Sequence, residues 1–126
     1  MGTQHIIGWE KGVAASATIT VGATAATILV TVQLKDYKGT NLAQICRVTG
    51  YITSDAAGLT SSTVTSATVD SGIQNSIEAT KSYEFVSTAA GVFSTTLDGT
   101  GANTRYLQVV LPNGTVVASG ACVFSA

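Results

Sequence analysis

Residues 105–126 read RYLQVVLPNGTVVASGACVFSA, and this closing stretch decides the fold because it has the pattern of a β-hairpin. Residues 106, 108 and 110 alternate with residues 107, 109 and 111, which is the two-residue period of an extended strand. Asn113 and Gly114 follow Pro112 and supply a tight turn, since Asn and Gly accept positive φ most readily. We therefore predict that a final strand over residues 115–125 pairs back on its predecessor, with one face of each strand in a core.

The same period recurs upstream of this hairpin. A short strand ends at Gly22, and the next places alternate apolar residues on one face: Ile28, Val30, Val32 and Leu34. A third strand is predicted over residues 43–53, with Cys46 and Val48 on one face and Gly50 marking a bulge or a close backbone approach.

Further strands are predicted over residues 83–87 and 92–97, with one or two short edge strands within residues 64–79. Turn signals recur roughly every 8 to 12 residues, which is typical of antiparallel sandwiches. The sequence therefore predicts an all-β fold: an immunoglobulin-like antiparallel β-sandwich of seven to eight strands with an extended N-terminal arm. A jelly roll or a small barrel uses similar strands and stays an alternative.

Residues 1–16 differ from the rest and are predicted to be the arm, with the sandwich domain over residues 17–126. They contain the chain's single His, Trp and Met, and neither strand nor helix periodicity continues through Gly8 and Gly12. Two interpretations are compatible: the arm covers an open sandwich edge, or it docks on another chain with Trp9 as an anchor. The predicted partner-binding residues are His5, Ile6, Ile7 and Trp9.

Charge is scarce: charged residues make up 10% of the 126 residues, and the net charge is −1. Ser and Thr take their place, with 12 Ser and 20 Thr. Nucleic acid is not an expected partner, because no basic surface is available for a phosphate backbone. A membrane is not expected either, since the most apolar run, residues 23–34, is interrupted by Thr and Gln and is shorter than a spanning helix. A surface poor in charge favours a component of an assembly over a free domain.

The residues that carry chemistry are few, and we expect no enzyme, metal site or cofactor. A Ser-His-Asp arrangement would need His5, which nothing in the predicted arm orients. Neither a calcium ligand series nor a phosphate-binding glycine loop occurs. Two cysteines, Cys46 and Cys122, are expected to be free buried thiols, with an intersheet disulfide as the alternative. The remaining acidic candidates are interpreted as turn residues that bond local amides: Asp36, Asp55, Asp70 and Asp98.

Three stretches carry a resemblance to a known family. They are TITVGATAATILVTVQLKDYKGTNLA at residues 18–43, the VTGYITSDAAGLT segment at residues 48–60, and GVFSTTLDGTGANTRYLQVVLPNGTVVASGACVFS at residues 91–125. Together they resemble the small structural proteins of tailed bacteriophages that have an immunoglobulin-like fold. The shared motifs are strands and turns, so no functional residue carries over.

The resemblance implies a non-enzymatic virion protein, made in the host cytoplasm and placed on the capsid surface. Its expected role is that of a head decoration, or cement, protein that binds the outside of the major capsid protein lattice and neighbouring copies of itself. The N-terminus lacks the pattern of a secretory signal, which agrees with that expectation. The alternative is a tail or fibre accessory or a weak glycan-binding module, for which Tyr37, Asn41 and Asn103 are the candidate residues.

Overall fold

The computed structural model describes residues 13–99 and 101–125, and every regular element in these ranges is a β-strand. The strands, in chain order, are β1 (Ser16–Val21), β2 (Thr27–Lys35), β3 (Arg47–Thr53), β4 (Ser66–Ser71), β5 (Ile73–Glu78), β6 (Ser82–Val86), β7 (Val92–Asp98), β8 (Thr104–Val110), β9 (Val116–Ala118) and β10 (Cys122–Val123).

The strands form two antiparallel sheets. The first has the order β1-β2-β7-β4, and the second has the order β10-β8-β3-β6-β5, with β9 also paired to β8. This confirms the predicted all-β antiparallel sandwich, and the immunoglobulin-like assignment within that class stays a prediction. The count of described strands is ten where seven to eight were predicted, because residues 64–79, predicted to hold one or two strands, form both β4 and β5, and the predicted final strand is divided into β9 and β10.

One hydrophobic core lies between the sheets, and alternation along the strands fills it. Every second residue of β2 is buried, as its sequence predicts. These side chains lie beside the inward residues of the neighbouring strand β7, such as Phe93. The Phe93 ring stacks on Phe85 of the second sheet with centroids 4.6 Å apart. A Cβ atom on Gly50 would lie 2.6 Å from the Phe85 ring, so the predicted close approach at this glycine is confirmed.

The first division lies between β4 and β5. The chain leaves the first sheet at Ser71, which pairs with Ser94, and enters the second at Ile73, which pairs with Val86. Gly72 makes the corner with a φ of 85°, a left-handed conformation that L side chains rarely adopt. The outer strands of both sheets on this side are therefore one continuous segment bent at a single glycine.

The second division lies in the C-terminal strand. The predicted hairpin is confirmed: Val110 pairs with Val116, and the turn passes through Gly114 at a φ of 87°. The predicted continuous strand over residues 115–125 is wrong, because pairing stops between β9 and β10. Here the hydroxyl of Ser119 accepts a hydrogen bond from the backbone N–H of Leu107 at 2.9 Å and so takes the place of a backbone partner.

The boundaries at the start of the sandwich also differ from those predicted. Ala14 is fully buried, Ala15 donates its N–H to the Lys35 carbonyl at 2.9 Å, and Ser16 opens β1. Residues 14–16, assigned by sequence to the arm, are thus part of the sandwich. The third strand begins at Arg47 and not at residue 43, and Cys46 before it still exchanges hydrogen bonds with Ser87.

Candidate binding surfaces

The acidic side chains serve local structure. Asp36 accepts hydrogen bonds from the N–H groups of Lys38 and Thr40, and Asp55 accepts from Leu59 and Thr60, so both turn predictions are confirmed. The turn predictions for Asp70 and Asp98 are wrong, since both residues lie in strands. Asp70 occupies a bulge in β4, and its carboxylate accepts a hydrogen bond from the Ser94 hydroxyl at 2.9 Å. Asp98 is the last residue of β7.

Residues 13–99 and 101–125 contain no pocket, and no group of three His, Cys, Asp or Glu side chains could hold a metal ion. No helix in these ranges is long and apolar enough to cross a membrane. The exposed faces and edges of the sandwich are therefore its candidate binding surfaces.

Both cysteines are free thiols, as predicted, but only Cys122 is buried, whereas Cys46 is half-buried. Burial raises the pKa of the Cys122 thiol, and a hydrogen bond with the Ser119 side chain offsets part of that rise. Burial also raises the pKa of Cys46, which a backbone hydrogen bond from Ala14 partly offsets. A raised thiol pKa means a small thiolate fraction at neutral pH, so neither residue has the character of a reactive nucleophile.

The outer face of the first sheet is covered by hydroxyl groups. Its charged residues are Lys35 and Asp98, at the ends of strands, and Asp70, at the bulge in the edge strand β4, whose carboxylate accepts a hydrogen bond from Ser94. Cross-strand pairs join Thr20 to Thr31 and Thr31 to Ser94. We call this surface the hydroxyl face; its residues are Thr18, Thr20, Leu29, Thr31, Gln33, Thr68, Val92, Ser94 and Thr96.

The outer face of the second sheet is different, because it carries charge. Arg47 lies 3.8 Å from Glu84 on the neighbouring strand, and Lys81 lies 3.2 Å from Glu78. These are surface ion pairs of the kind that contribute little to stability but keep a surface hydrated.

Part of this second outer face is covered by the loop that follows β3. Gln108 points outward from β8, yet only 1% of it is exposed. Its amide donates to the Thr53 hydroxyl at 3.2 Å and to the carbonyl oxygens of Asp55 and Ala56 at 3.4 and 3.3 Å. The loop is therefore fixed to the second sheet, and no such loop contact is described on the hydroxyl face.

The two lateral edges of the sandwich also differ. On one side, which we call the closed edge, β1 contacts β9, and Ser125 donates its N–H to the Ala25 carbonyl at 3.1 Å. On the other side, the open edge, β4 and β5 are the outermost strands. Exposed apolar side chains occur at both edges: Val69, Ile73 and Ile77 are 43%, 58% and 62% exposed at the open edge, and Val116 and Val123 are 48% and 43% exposed at the closed edge.

The sequence-predicted site residues are not brought together. His5, Ile6, Ile7 and Trp9 lie outside the described residues. Tyr37 and Asn41 follow the end of β2 at Lys35, whereas Asn103 precedes β8 at the opposite end, beside the start of β2. The three candidates for a glycan site therefore do not form one cluster. Sequence reasoning found the shortage of charge but did not locate it, because only the strand register assigns the Thr residues of four strands to one face.

Comparison with models of known protein families and with curated proteins found no match to this chain. The geometry of the described residues is thus the basis, together with the sequence resemblance, for assigning a function.

Proposed function

We propose that this chain is a non-enzymatic structural protein of a bacteriophage virion, and that it acts as a decoration protein on the outside of the capsid. Its partners are the major capsid protein and neighbouring copies of itself. The observation that carries the proposal is the hydroxyl face, a four-stranded sheet surface whose charged residues, Lys35, Asp70 and Asp98, stand only at strand ends and on the edge strand β4. The resemblance of about residues 17–126 to phage structural proteins supplies the biological setting.

The hydroxyl face suits contact with protein for an electrostatic reason. A buried charge that lacks a partner is costly, so the cores of protein interfaces are depleted in charged residues. Thr hydroxyls donate and accept hydrogen bonds, and their methyl groups pack against apolar neighbours. Leu29, 43% exposed at the centre of the face, adds an apolar contact.

The size of the face argues for more than one contact. Four strands at a spacing of about 4.8 Å, over seven residues of about 3.3 Å each, give roughly 400 Å². A stable protein interface buries about 800 Å² on each partner. One copy on its own would therefore bind weakly, and contacts with neighbouring copies on a repeating lattice would supply the remainder.

Copy number tests the proposed location. Quantitative mass spectrometry of purified particles is expected to give a ratio to the major capsid protein near one, or a simple fraction of the lattice. A few copies per particle would instead indicate the tail or fibre alternative, and absence from the particle would refute the virion assignment.

A matched pair of variants tests the proposed surface. Thr31→Lys places a charge on the hydroxyl face, and Thr49→Lys places the same charge on the outer face of the second sheet. We expect Thr31→Lys to weaken binding to undecorated capsids by about tenfold or more, and Thr49→Lys to leave it unchanged. Equal binding by the two variants would show that the hydroxyl face is not the contact surface.

A further inference from the structure

The two outer strands of the open edge differ in their capacity to pair with another strand. β4 contains a bulge at Asp70, and bulges and charges are features that prevent pairing at a sheet edge. β5 pairs with β6 in regular register over residues 73–76, and residues 73–77 carry no charge. Within the described ranges no strand lies on the other side of β5. β5 is therefore the strand through which this edge can be extended.

The sequence of β5 suits pairing with a second copy of itself. In an antiparallel pair, residues directly opposite each other point to the same face of the sheet. A twofold axis through Asn75 sets Ile73 of each copy opposite Ile77 of the other. Ile73 and Ile77 are 58% and 62% exposed, so this register covers both apolar side chains of the strand. Removing that apolar surface from water stabilises the pair.

The acidic residues of this region do not oppose the contact. Like charges directly opposite each other destabilise a strand pair, but in this register Glu78 of each copy lies opposite the uncharged Gly72 of the other. Asp70 on β4 accepts a hydrogen bond from the Ser94 hydroxyl at 2.9 Å. Because Ser94 belongs to β7, this bond holds the carboxylate toward the neighbouring strand and away from the edge.

The contact is small, and its size predicts weak pairing. Five residues of about 3.3 Å each and a sheet separation of about 10 Å give an edge of roughly 170 Å². A stable interface buries about 800 Å² on each partner. Two copies in dilute solution are therefore expected to dissociate, whereas copies bound side by side on one surface have a high effective concentration.

The same axis brings two hydroxyl faces together. A twofold axis that relates antiparallel strands of one sheet is perpendicular to that sheet, so the hydroxyl faces of both copies point in the same direction. They lie side by side, because β4 and β5 belong to the same edge. Two faces of roughly 400 Å² each provide about 800 Å², the area that a stable interface needs on one partner. A second copy at this edge supplies area that one copy lacks, which favours it over an unrelated molecule.

We propose that two copies of this chain pair through β5, antiparallel about a twofold axis at Asn75, and that the pair presents both hydroxyl faces as one surface. The pairing itself follows from the open edge. The use of the joined surface rests on the proposed function, because it requires that the hydroxyl face binds the capsid.

Disulfide cross-linking of the free protein tests the pairing. Asn75→Cys, in a Cys46→Ser background, places new thiols on residues whose Cα atoms lie about 5 Å apart, within the range of a disulfide. Glu78→Cys is the matched control, since its two copies are offset by six residues, or about 20 Å. Under mild oxidation we expect Asn75→Cys to form a covalent dimer at least about tenfold faster than Glu78→Cys. Equal rates would overturn the twofold pairing.

A second pair of variants tests the apolar contact. Ile73→Lys, added to Asn75→Cys, sets a charge against Ile77 of the second copy. Val116→Lys adds the same charge at the closed edge, where the side chain is 48% exposed. We expect Ile73→Lys to slow cross-linking by about tenfold or more and Val116→Lys to leave it unchanged, with circular dichroism confirming that both are folded. Equal cross-linking rates in these two variants would overturn the proposed register.

Binding to undecorated capsids separates this inference from the proposed function. The cross-linked Asn75→Cys dimer should bind at least about tenfold more tightly than the same protein after reduction, because both hydroxyl faces engage together. Equal binding of the two forms, with Thr31→Lys still defective, would refute the joined surface and leave the proposed function standing. Normal binding by Thr31→Lys would refute the proposed contact surface, while cross-linking would still decide the pairing.

Discussion

The two lateral edges of this sandwich contain the same kinds of residue but are held by different contacts. At the closed edge, β1 contacts β9, the partly buried Ala17 and Val117 pack against the core, and Ala25 forms a bridge with Phe124. At the open edge, one segment bent at Gly72 supplies both outer strands and leaves three apolar side chains exposed. The difference indicates that contacts between the sheets hold the closed edge together. The open edge depends instead on the corner at Gly72 and on the residues that pack over its exposed side chains.

The largest expected effect comes from the core that both edges share. Val109 is fully buried and Val110, the next residue on β8, is only half-buried and faces outward. Val109→Asp buries an unpaired carboxylate and should lower the free energy of unfolding by at least about 4 kcal/mol, close to the whole stability of a small domain. Val110→Asp should cost much less. Urea unfolding followed by circular dichroism measures both, and a folded, stable Val109→Asp protein would contradict the shared-core assignment.

The second-largest expected effect comes from the corner at Gly72, on the open edge. A Cβ at Gly72 would lie 2.6 Å from the Val86 carbonyl oxygen, whereas a Cβ at Gly114, in the hairpin that leads to the closed edge, would meet nothing within 4 Å. Both glycines have positive φ. Gly72→Ala is therefore expected to destabilise the fold by about 2–4 kcal/mol, and Gly114→Ala by about 1 kcal/mol for the backbone conformation alone. Equal melting temperatures for the two variants would show that the corner tolerates a side chain.

A third pair of variants compares the same substitution at both edges. The Ser119 hydroxyl is the acceptor for the buried Leu107 N–H, so Ser119→Ala leaves that donor unpaired and should cost about 1–3 kcal/mol. Ser76 is exposed on β5, and Ser76→Ala should change stability by less than about 0.5 kcal/mol. Chemical denaturation measures the free energy of unfolding of both variants. A loss of stability in Ser76→Ala as large as that in Ser119→Ala would mean that the open edge is held by hydrogen bonds as strong as those of the closed edge.

Sequence pattern alone predicts the strands and turns whose structure depends on residues close together in the chain. β2 is predicted well because alternate apolar residues along it face one core, and the turns at Asp36 and Asp55 are predicted because each carboxylate bonds amides a few residues away. The division of the C-terminal strand is not predictable in this way, since it depends on a hydrogen bond between Ser119 and Leu107, twelve residues apart.

The sequence predicts the composition of the hydroxyl face but not its position. The shortage of charge is a matter of composition, but the hydroxyl face exists because β1, β2, β7 and β4 align in one register. In the same way, the outward position of Gln108 follows from alternation, whereas its burial follows from a loop that begins some fifty residues earlier. Contacts between distant segments decide both features, and no local pattern encodes them.

The smallest effect uses the two thiols as probes of the closed edge. Cys122 lies in β10 and is fully buried, whereas Cys46 is half-buried before β3. The thiolate is the reactive form, and burial raises the pKa of both groups. At pH 8 a thiol reagent should therefore modify Cys46 first, and Cys122 only as fast as the closed edge opens. In the Cys46→Ser variant only Cys122 remains to react, and the rate of its single slow phase measures this opening.

The same pKa shifts predict a weak dependence of stability on pH. Because the folded state holds each thiol proton more tightly than the unfolded state, this contribution is complete below the unfolded pKa of about 8.5 and is lost as the pH rises through the folded pKa. The free energy of unfolding should fall slightly between about pH 8 and pH 9, below the pKa of about 10 at which Tyr83 titrates in the unfolded state. Urea titrations at both pH values measure the change. If stability rose instead, the thiol at the closed edge would be better solvated in the folded protein than its burial indicates.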